Sequence, residues 1–312
     1  MLTMIPATPG DDNPVWIDLY QPDEGEIAQV EVRYGIKVPD LAALREIESS
    51  SRLRAEGNTL IMSVPMIADM DKDRWGTAPT GFILTPQVFI TVRYGHVDLF
   101  DVVAADLAHQ ADLTPALAFV LLLEGAVDRA ADQLEHAADA VGWVSQAIFF
   151  DDLTSAGLSK GTRTLRDTIR KLGRASDRTS RVRYMFLSMG RMVTFVGDRC
   201  KPALDKAMAD RLASIAHDIA SLDEFETSLT GRIQLLQDAA TGFINIEQND
   251  VVKLLTVASV VGIPPVLVVG IYGMNFKLMP ELNWAWGYPY ALVLCVLSAA
   301  VPYLWFKWRD WI

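Results

Sequence analysis

From Leu254 to Met274 the chain runs for twenty-one residues without a charge, LLTVASVVGIPPVLVVGIYGM, and from Trp284 to Phe306 it does so again. At about 1.5 Å of rise per residue the first run reaches roughly 32 Å as a helix, which matches a hydrocarbon core of about 30 Å. A soluble core would have to be apolar all round to accept either run. Two such runs, separated only by Asn275 to Asn283, therefore predict a membrane hairpin. A hairpin puts everything before the first span on the same side as everything after the second.

Charge sets the direction. Lys253 precedes the first span and Lys307 and Arg309 follow the second, while Lys277 and Glu281 cancel in the interval. By the positive-inside rule the large N-terminal part and the C-terminus are cytoplasmic, and the loop 275–283 is external. Trp284, Trp286, Trp305, Trp308 and Trp311 flank the second span, where aromatic belts form. The first twelve residues, MLTMIPATPGDD, lack the basic and apolar segments of a secretory signal, so the large domain is expected to stay where it is made.

A net charge of -11 argues against nucleic acid, whose phosphates must be neutralised by Lys and Arg, and suits a protein that meets cations. Cys200 and Cys295 stand far apart in unlike surroundings and spell out neither a disulfide nor a thiol metal site. His96, His109, His136 and His217 show no metal-ligand spacing, and no GxxxxGK[ST] loop is present. No cofactor is expected and the chain does not read as an enzyme.

The first two hundred residues read as a mixed α/β domain. PVWIDL at Pro14 to Leu19 predicts a strand, Glu24 to Tyr34 a helix ended by Gly35, and Val38 to Glu48 another helix. Thr59 to Ala68 and Gly81 to Arg93 are β-branched and aromatic, with a break expected over Asp69 to Pro79. From Leu117 the pattern turns helical, with further helices expected over Thr164 to Leu172 and Thr179 to Val196. After Pro202 there is no proline until Pro264, so one helix of about seventy residues is expected to run from near Ala203 through the first span. The expected division is 1–202 for the α/β domain with its helical insertion, 203–253 for a stalk helix and 254–312 for the two spans.

Two helices cannot enclose a water-lined path, so a conductor built this way has to be an oligomer. The second span has no polar row. The long helix does better: Asp238, Asn245, Asn249, Val252, Leu255, Ser259, Ile263, Val266, Gly270 and Asn275 recur at spacings near one helical face, with polar and apolar positions alternating. A coiled-coil seam would account for Asn245 and Asn249 taken alone. It does not account for a span that ends in Tyr272, Gly273, Met274 and Asn275.

Gly273-Met274-Asn275, the MPEL loop from Met279 to Leu282, and a second span closed by aromatic and basic residues resemble the CorA family of divalent-cation channels and transporters. Trp16-Ile17-Asp18-Leu19 with Pro22, the stretch VEVRYG from Val30 to Gly35, and Thr91-Val92-Arg93 before Phe100 extend the resemblance upstream. It implies a funnel-shaped homopentamer: an α/β cytoplasmic domain, a very long stalk helix continuing into a two-helix transmembrane hairpin, and the first spans around a central pore in the inner membrane. It further implies that Gly273, Met274 and Asn275 form the outer selectivity mouth, with Glu281 nearby to gather cations. Gly270, Val266, Ile263 and Ser259 would line the pore, Leu255 and Val252 form an apolar gate, and Asn249, Asn245 and Asp238 the cytoplasmic end. Family members often carry threonine where this chain has Val266, which removes one polar station. Mg²⁺ is the implied substrate and regulatory ligand, with Co²⁺ or Ni²⁺ as further cargo. Asp69, Asp71, Asp73, Asp210 and Asp218 are the carboxylates available for regulation.

Two other readings compete. One is a zinc transporter of the same family, proton-coupled or not, since a neutral ring does not fix the metal; Gly273-Met274-Asn275 followed by MPEL leans toward the magnesium branch. A membrane-anchored structural or sensory protein would use the spans only as anchors, and would leave the polar-lined face without a purpose.

Overall fold

The computed structural model describes the chain apart from residues 7–12, 47, 49–51, 72–73, 109, 111, 151–157, 201–205, 276–278, 310 and 312; for residues 69–71, 74–75, 158–163, 200 and 282 it describes the backbone alone. The chain divides into two compact units, one formed by Met1–Asp151 with Arg166–Gln237 and the other by Asp152–Leu165 with Asp238–Ile312.

The first unit is built on a six-stranded sheet. Its strands are β1 (Leu2–Pro6), β2 (Pro14–Tyr20), β3 (Leu53–Glu56), β4 (Thr59–Asp71), β5 (Arg74–Leu84) and β6 (Phe89–Arg93), in the order β1-β2-β6-β5-β4-β3. Only β2 and β6 pair in parallel; every other neighbour is antiparallel. Residues Pro14 to Leu19 are all buried, as a central strand covered on both faces must be. Ile17, Leu19, Ile83, Ile90 and Val92 face Val30 of α1 (Glu24–Tyr34) and Leu44 of α2 (Leu41–Arg45). Trp16, Phe82 and Phe89 face the opposite core, which includes Phe100 of α3 (Asp98–Leu107), Phe119 of α4 (Pro115–Phe149) and Phe186 of α5 (Leu158–Cys200).

Local chemistry accounts for the element ends. Asp23 and Glu26 form a reciprocal capping box on α1, and Gly35 closes it in the left-handed conformation at φ 65°, where a side chain would be strained. Asp40 and Thr114 cap α2 and α4 by accepting from Ala43 and Leu117 N–H.

The structure corrects several sequence expectations. The helix expected over Val38 to Glu48 is only Leu41–Arg45. Gly81 to Arg93 is two strands, because Thr85 turns the chain: its Oγ1 accepts from the N–H groups of Gln87 and Val88 at 3.2 and 2.9 Å. The expected break at Asp69 to Pro79 is instead a β4–β5 hairpin paired up to Asp71 and Arg74. The helices expected at Thr164 to Leu172 and Thr179 to Val196 are one 43-residue helix, α5.

The long helix is α6 (Lys206–Tyr272), 67 residues, about 100 Å by rise per residue. It contributes Leu212, Ile215 and Ile219 to the core of the first unit and carries the first apolar run in the second. A 3₁₀ turn, Pro280–Asn283, precedes α7 (Gly287–Trp308), whose 22 residues span about 33 Å.

Candidate ion pathway

The second unit leaves its apolar surface bare. None of the most apolar stretch of α6 and only 6 % of that of α7 is buried within the chain, the reverse of a soluble core helix. Trp284, Trp286, Trp305 and Trp308 are all exposed at the ends of α7, and Arg309 lies 5.7 and 6.0 Å from the Trp305 and Trp308 rings.

α6 has two opposed faces here. At about 100° per residue, Val257, Val261, Pro264, Val268 and Tyr272 point within roughly 40° of one direction. These five are half-buried, and α7 lies against that side: Cys295 Sγ is 3.8 Å from the Pro265 carbonyl oxygen, to which it donates. Val252, Leu255, Ser259, Ile263, Val266 and Gly270 cluster within about 40° of the opposite direction. All six are exposed. Asn245 shares their direction, while Asp238 and Asn249 are offset from it by about 60° and 80° and are exposed as well. The expected pore-lining positions thus fall on the side of α6 that the chain itself does not cover.

The polar groups on that side are few and already partly committed. Ser259 Oγ donates to the Leu255 carbonyl at 2.8 Å, and Thr256 Oγ1 does the same to Val252. Each hydroxyl proton is satisfied inside the helix, which leaves oxygen lone pairs as acceptors. Pro264 and Pro265 interrupt the hydrogen-bond ladder, a break that membrane helices tolerate when neighbouring groups compensate.

At the outer end the helix stops cleanly. Gly273 N–H donates to Val269 O at 2.9 Å and Met274 N–H to Ile271 O at 3.2 Å, and Asn275 follows as an exposed residue outside the helix. A side chain at Gly273 would sit 3.1 Å from Val269 O, a tight approach that glycine avoids. Helix C-termini carry roughly half a unit of negative charge on free carbonyls. Asn275, with a neutral carbonyl acceptor, therefore stands at an end already favourable to cations. Glu281, in the 3₁₀ turn, and Gly273 both line a cleft of about 430 Å³ with Tyr272, Trp284 and Gly287.

Among the described residues, the carboxylates offered for regulation fall on two elements. Asp69 and Asp71 lie on β4 and Asp73 lies outside the described residues, whereas Asp210 and Asp218 are exposed on α6. Among the described residues no group of three or more His, Cys, Asp or Glu is placed to hold a metal ion. Asp218 does have company: burial, then Glu124, Asp132 and Asp218, push the Asp128 carboxyl above its ordinary range.

One cluster escaped composition and periodicity, though its residues carried part of the resemblance. Asp18 of β2, Thr91 and Arg93 of β6 are buried side by side in the parallel pair. Trp16 Nε1 donates to Thr91 Oγ1 at 3.0 Å, Thr91 Oγ1 donates to Asp18 Oδ1 at 2.7 Å, and Arg93 Nη2 reaches Asp101 at 3.0 Å. Its signal was a charged residue at an inward position of each of two apolar strands.

The fold defines a membrane protein with a large N-terminal unit, two C-terminal apolar helices and, among the described residues, an uncovered face on the first of them. A family model described as CorA-like Mg2+ transporter protein matches residues 11–308, and the chain belongs to that family of transporters, which are not enzymes. The magnesium transport protein CorA of Escherichia coli strain K12 is 30 % identical over 310 residues, covering 96 % of this chain and 92 % of that protein. The magnesium transport protein CorA of Yersinia pseudotuberculosis serotype I is 31 % identical over 305 residues, with 96 % and 92 % covered. The complete structure of the CorA magnesium transporter from Methanocaldococcus jannaschii matches with a TM-score of 0.73 at 17 % identity, covering 95 % of this chain and 91 % of that one.

Proposed function

We propose that this chain is an inner-membrane Mg²⁺ channel that works as a homopentamer, with the N-terminal unit and the C-terminus cytoplasmic. Membership in the family supports the cargo, and one observation carries the pathway. The row Val252, Leu255, Ser259, Ile263, Val266 and Gly270 faces away from α7, stays exposed along its length and leads to Asn275. Copies of the chain that met along this row would enclose a shared path.

The chemistry follows from the hydration of the ion. Mg²⁺ keeps its waters, which turn their hydrogens outward, so the mouth needs acceptors rather than charge. Five Asn275 carbonyls supply them and release the ion readily. Co²⁺ and Ni²⁺ carry similar shells and share the route. Leu255 and Val252 close the path by excluding water, and Asn249, Asn245 and Asp238 receive the ion at the cytoplasmic end. Internal divalent ions hold the path shut through carboxylates such as Asp69, Asp71, Asp210 and Asp218. A divalent ion gains about 4.6 kcal/mol per 100 mV on entering a negative interior, so no cofactor is required.

The test is ion uptake into proteoliposomes. Asn275→Ala is expected to reduce Mg²⁺ uptake by at least tenfold while the oligomer stays intact. Zinc uptake that follows a proton gradient, with little magnesium uptake in the unsubstituted protein, would overturn the assignment in favour of a zinc transporter.

A further inference from the structure

We infer that Gly287 is a positioning residue for ion capture, because its missing side chain lets the turn Pro280–Asn283 seat on the first turn of α7 and so holds Glu281 beside the outer end of α6. The inference rests on the reading above that Glu281 gathers cations at the mouth.

Gly287 is buried, although its neighbours Trp286 and Tyr288 are 75 % and 76 % exposed. A Cβ built on it would overlap the Glu281 carbonyl oxygen and lie 3.3 Å from that residue's carbonyl carbon. Both are backbone atoms and cannot swing aside as a flexible side chain could. The backbone conformation gives no other reason for glycine: among the described glycines only Gly35 and Gly57 have positive φ. No other feature of the backbone calls for glycine at this position, so the close contact is what it serves.

Hydrogen bonds finish the seat. Trp284 N–H donates to the Glu281 carbonyl at 3.3 Å, and Gly287 N–H donates to the Trp284 carbonyl at 3.1 Å. Glu281, Trp284 and Gly287 then share one cleft with Tyr272 and Gly273 at the end of α6. A methyl group at position 287 would lift the turn and carry the carboxylate away from Gly273. The shift needed to clear the contact is small against a screening length of about 8 Å, so the carboxylate's attraction is reduced and not abolished.

The experiment measures Mg²⁺ uptake by the intact oligomer in proteoliposomes at two ionic strengths roughly tenfold apart, for G287A, E281Q and the double variant. E281Q is expected to raise the half-saturating Mg²⁺ concentration several-fold at low ionic strength and to remove most of its salt dependence. G287A is expected to raise it in the same direction by a smaller factor, and to add nothing in the double variant, where no charge is left to displace. A G287A protein whose half-saturation is unchanged, or whose effect adds in full to that of E281Q, would overturn the inference. A second readout is independent of flux: a cysteine at position 281, in a chain with C200S and C295S, is expected to react several-fold faster with a charged thiol reagent when G287A is added. An unchanged rate refutes the seating. If E281Q leaves half-saturation unchanged, the electrostatic role of Glu281 falls, and the thiol rate alone decides the placement of the turn.

Discussion

Arg93 and Asp18, 75 residues apart in sequence, meet across the parallel strand pair with Arg93 Nε 2.9 Å and Nη2 2.8 Å from a single Asp18 carboxylate oxygen. Both side chains are buried, and the guanidinium also lies 4.6 and 4.9 Å from the Tyr20 and Phe100 rings. Removing Asp18 leaves the buried guanidinium with only the exposed Asp101 as a charge partner. Asp18→Ala is expected to cost about 3 kcal/mol, read as a lowered melting temperature of the solubilised protein. A melting temperature within a degree or so of the original would show that the pair is dispensable.

The same carboxyl gives a pH signature. Burial pushes Asp18 above its ordinary value of 3.8, and the Arg93 charge with hydrogen bonds from Arg93 and Thr91 pulls it back only in part. Just above 3.8 the folded chain therefore holds a proton that the unfolded chain has lost. This contribution to stability is complete below that value and is lost as pH rises through the folded-state value. Asp18→Asn should flatten this part of the melting temperature profile; a contribution that grows with pH would contradict the sign.

Glu226 of α6 is 1 % exposed and takes its charge partner from α5, with Arg183 Nη1 at 3.1 Å, while Thr230 Oγ1 donates to it at 2.7 Å. Arg183→Ala is expected to destabilise the packing of α5 on α6 by about 2 kcal/mol, since Thr230 alone cannot balance a buried carboxylate. Arg183→Ala with Glu226→Gln should recover most of the loss. Thermal melting of the single and double variants checks both.

Leu255 is 62 % exposed, an uneconomical place for leucine in a lone chain and a sensible one for a constriction between copies. Leu255→Ser is expected to wet the constriction and raise Mg²⁺ leak several-fold in proteoliposomes, with internal Mg²⁺ less able to stop it. Unchanged leak would remove Leu255 from the gate.

The membrane part was readable because an uncharged run of bilayer length has few alternatives, and α6 because nothing between Pro202 and Pro264 breaks a helix. The α/β part was harder. Gly173 to Arg178 reads as a gap between helices, yet it is helical, with Ala175 buried, Ser180 Oγ donating to Ser176 O at 2.8 Å and Arg181 pairing with Asp177 at 2.9 Å. The strand β1 has a single buried residue, Ile5, so its hydrophobic pattern was too weak to read. The seat of Glu281 on Gly287 depends on a backbone contact that no residue pattern encodes.

Cysteine scanning along α6 tests the shared path most directly. Single cysteines are placed in a chain with C200S and C295S, and Mg²⁺ uptake is followed before and after a small charged thiol reagent. Block is expected at Ser259, Ile263, Val266 and Gly270, and not at Val257, Val261 or Val268 on the side that α7 covers. Block confined to the α7 side, or none at either face, would contradict a pore lined by this row.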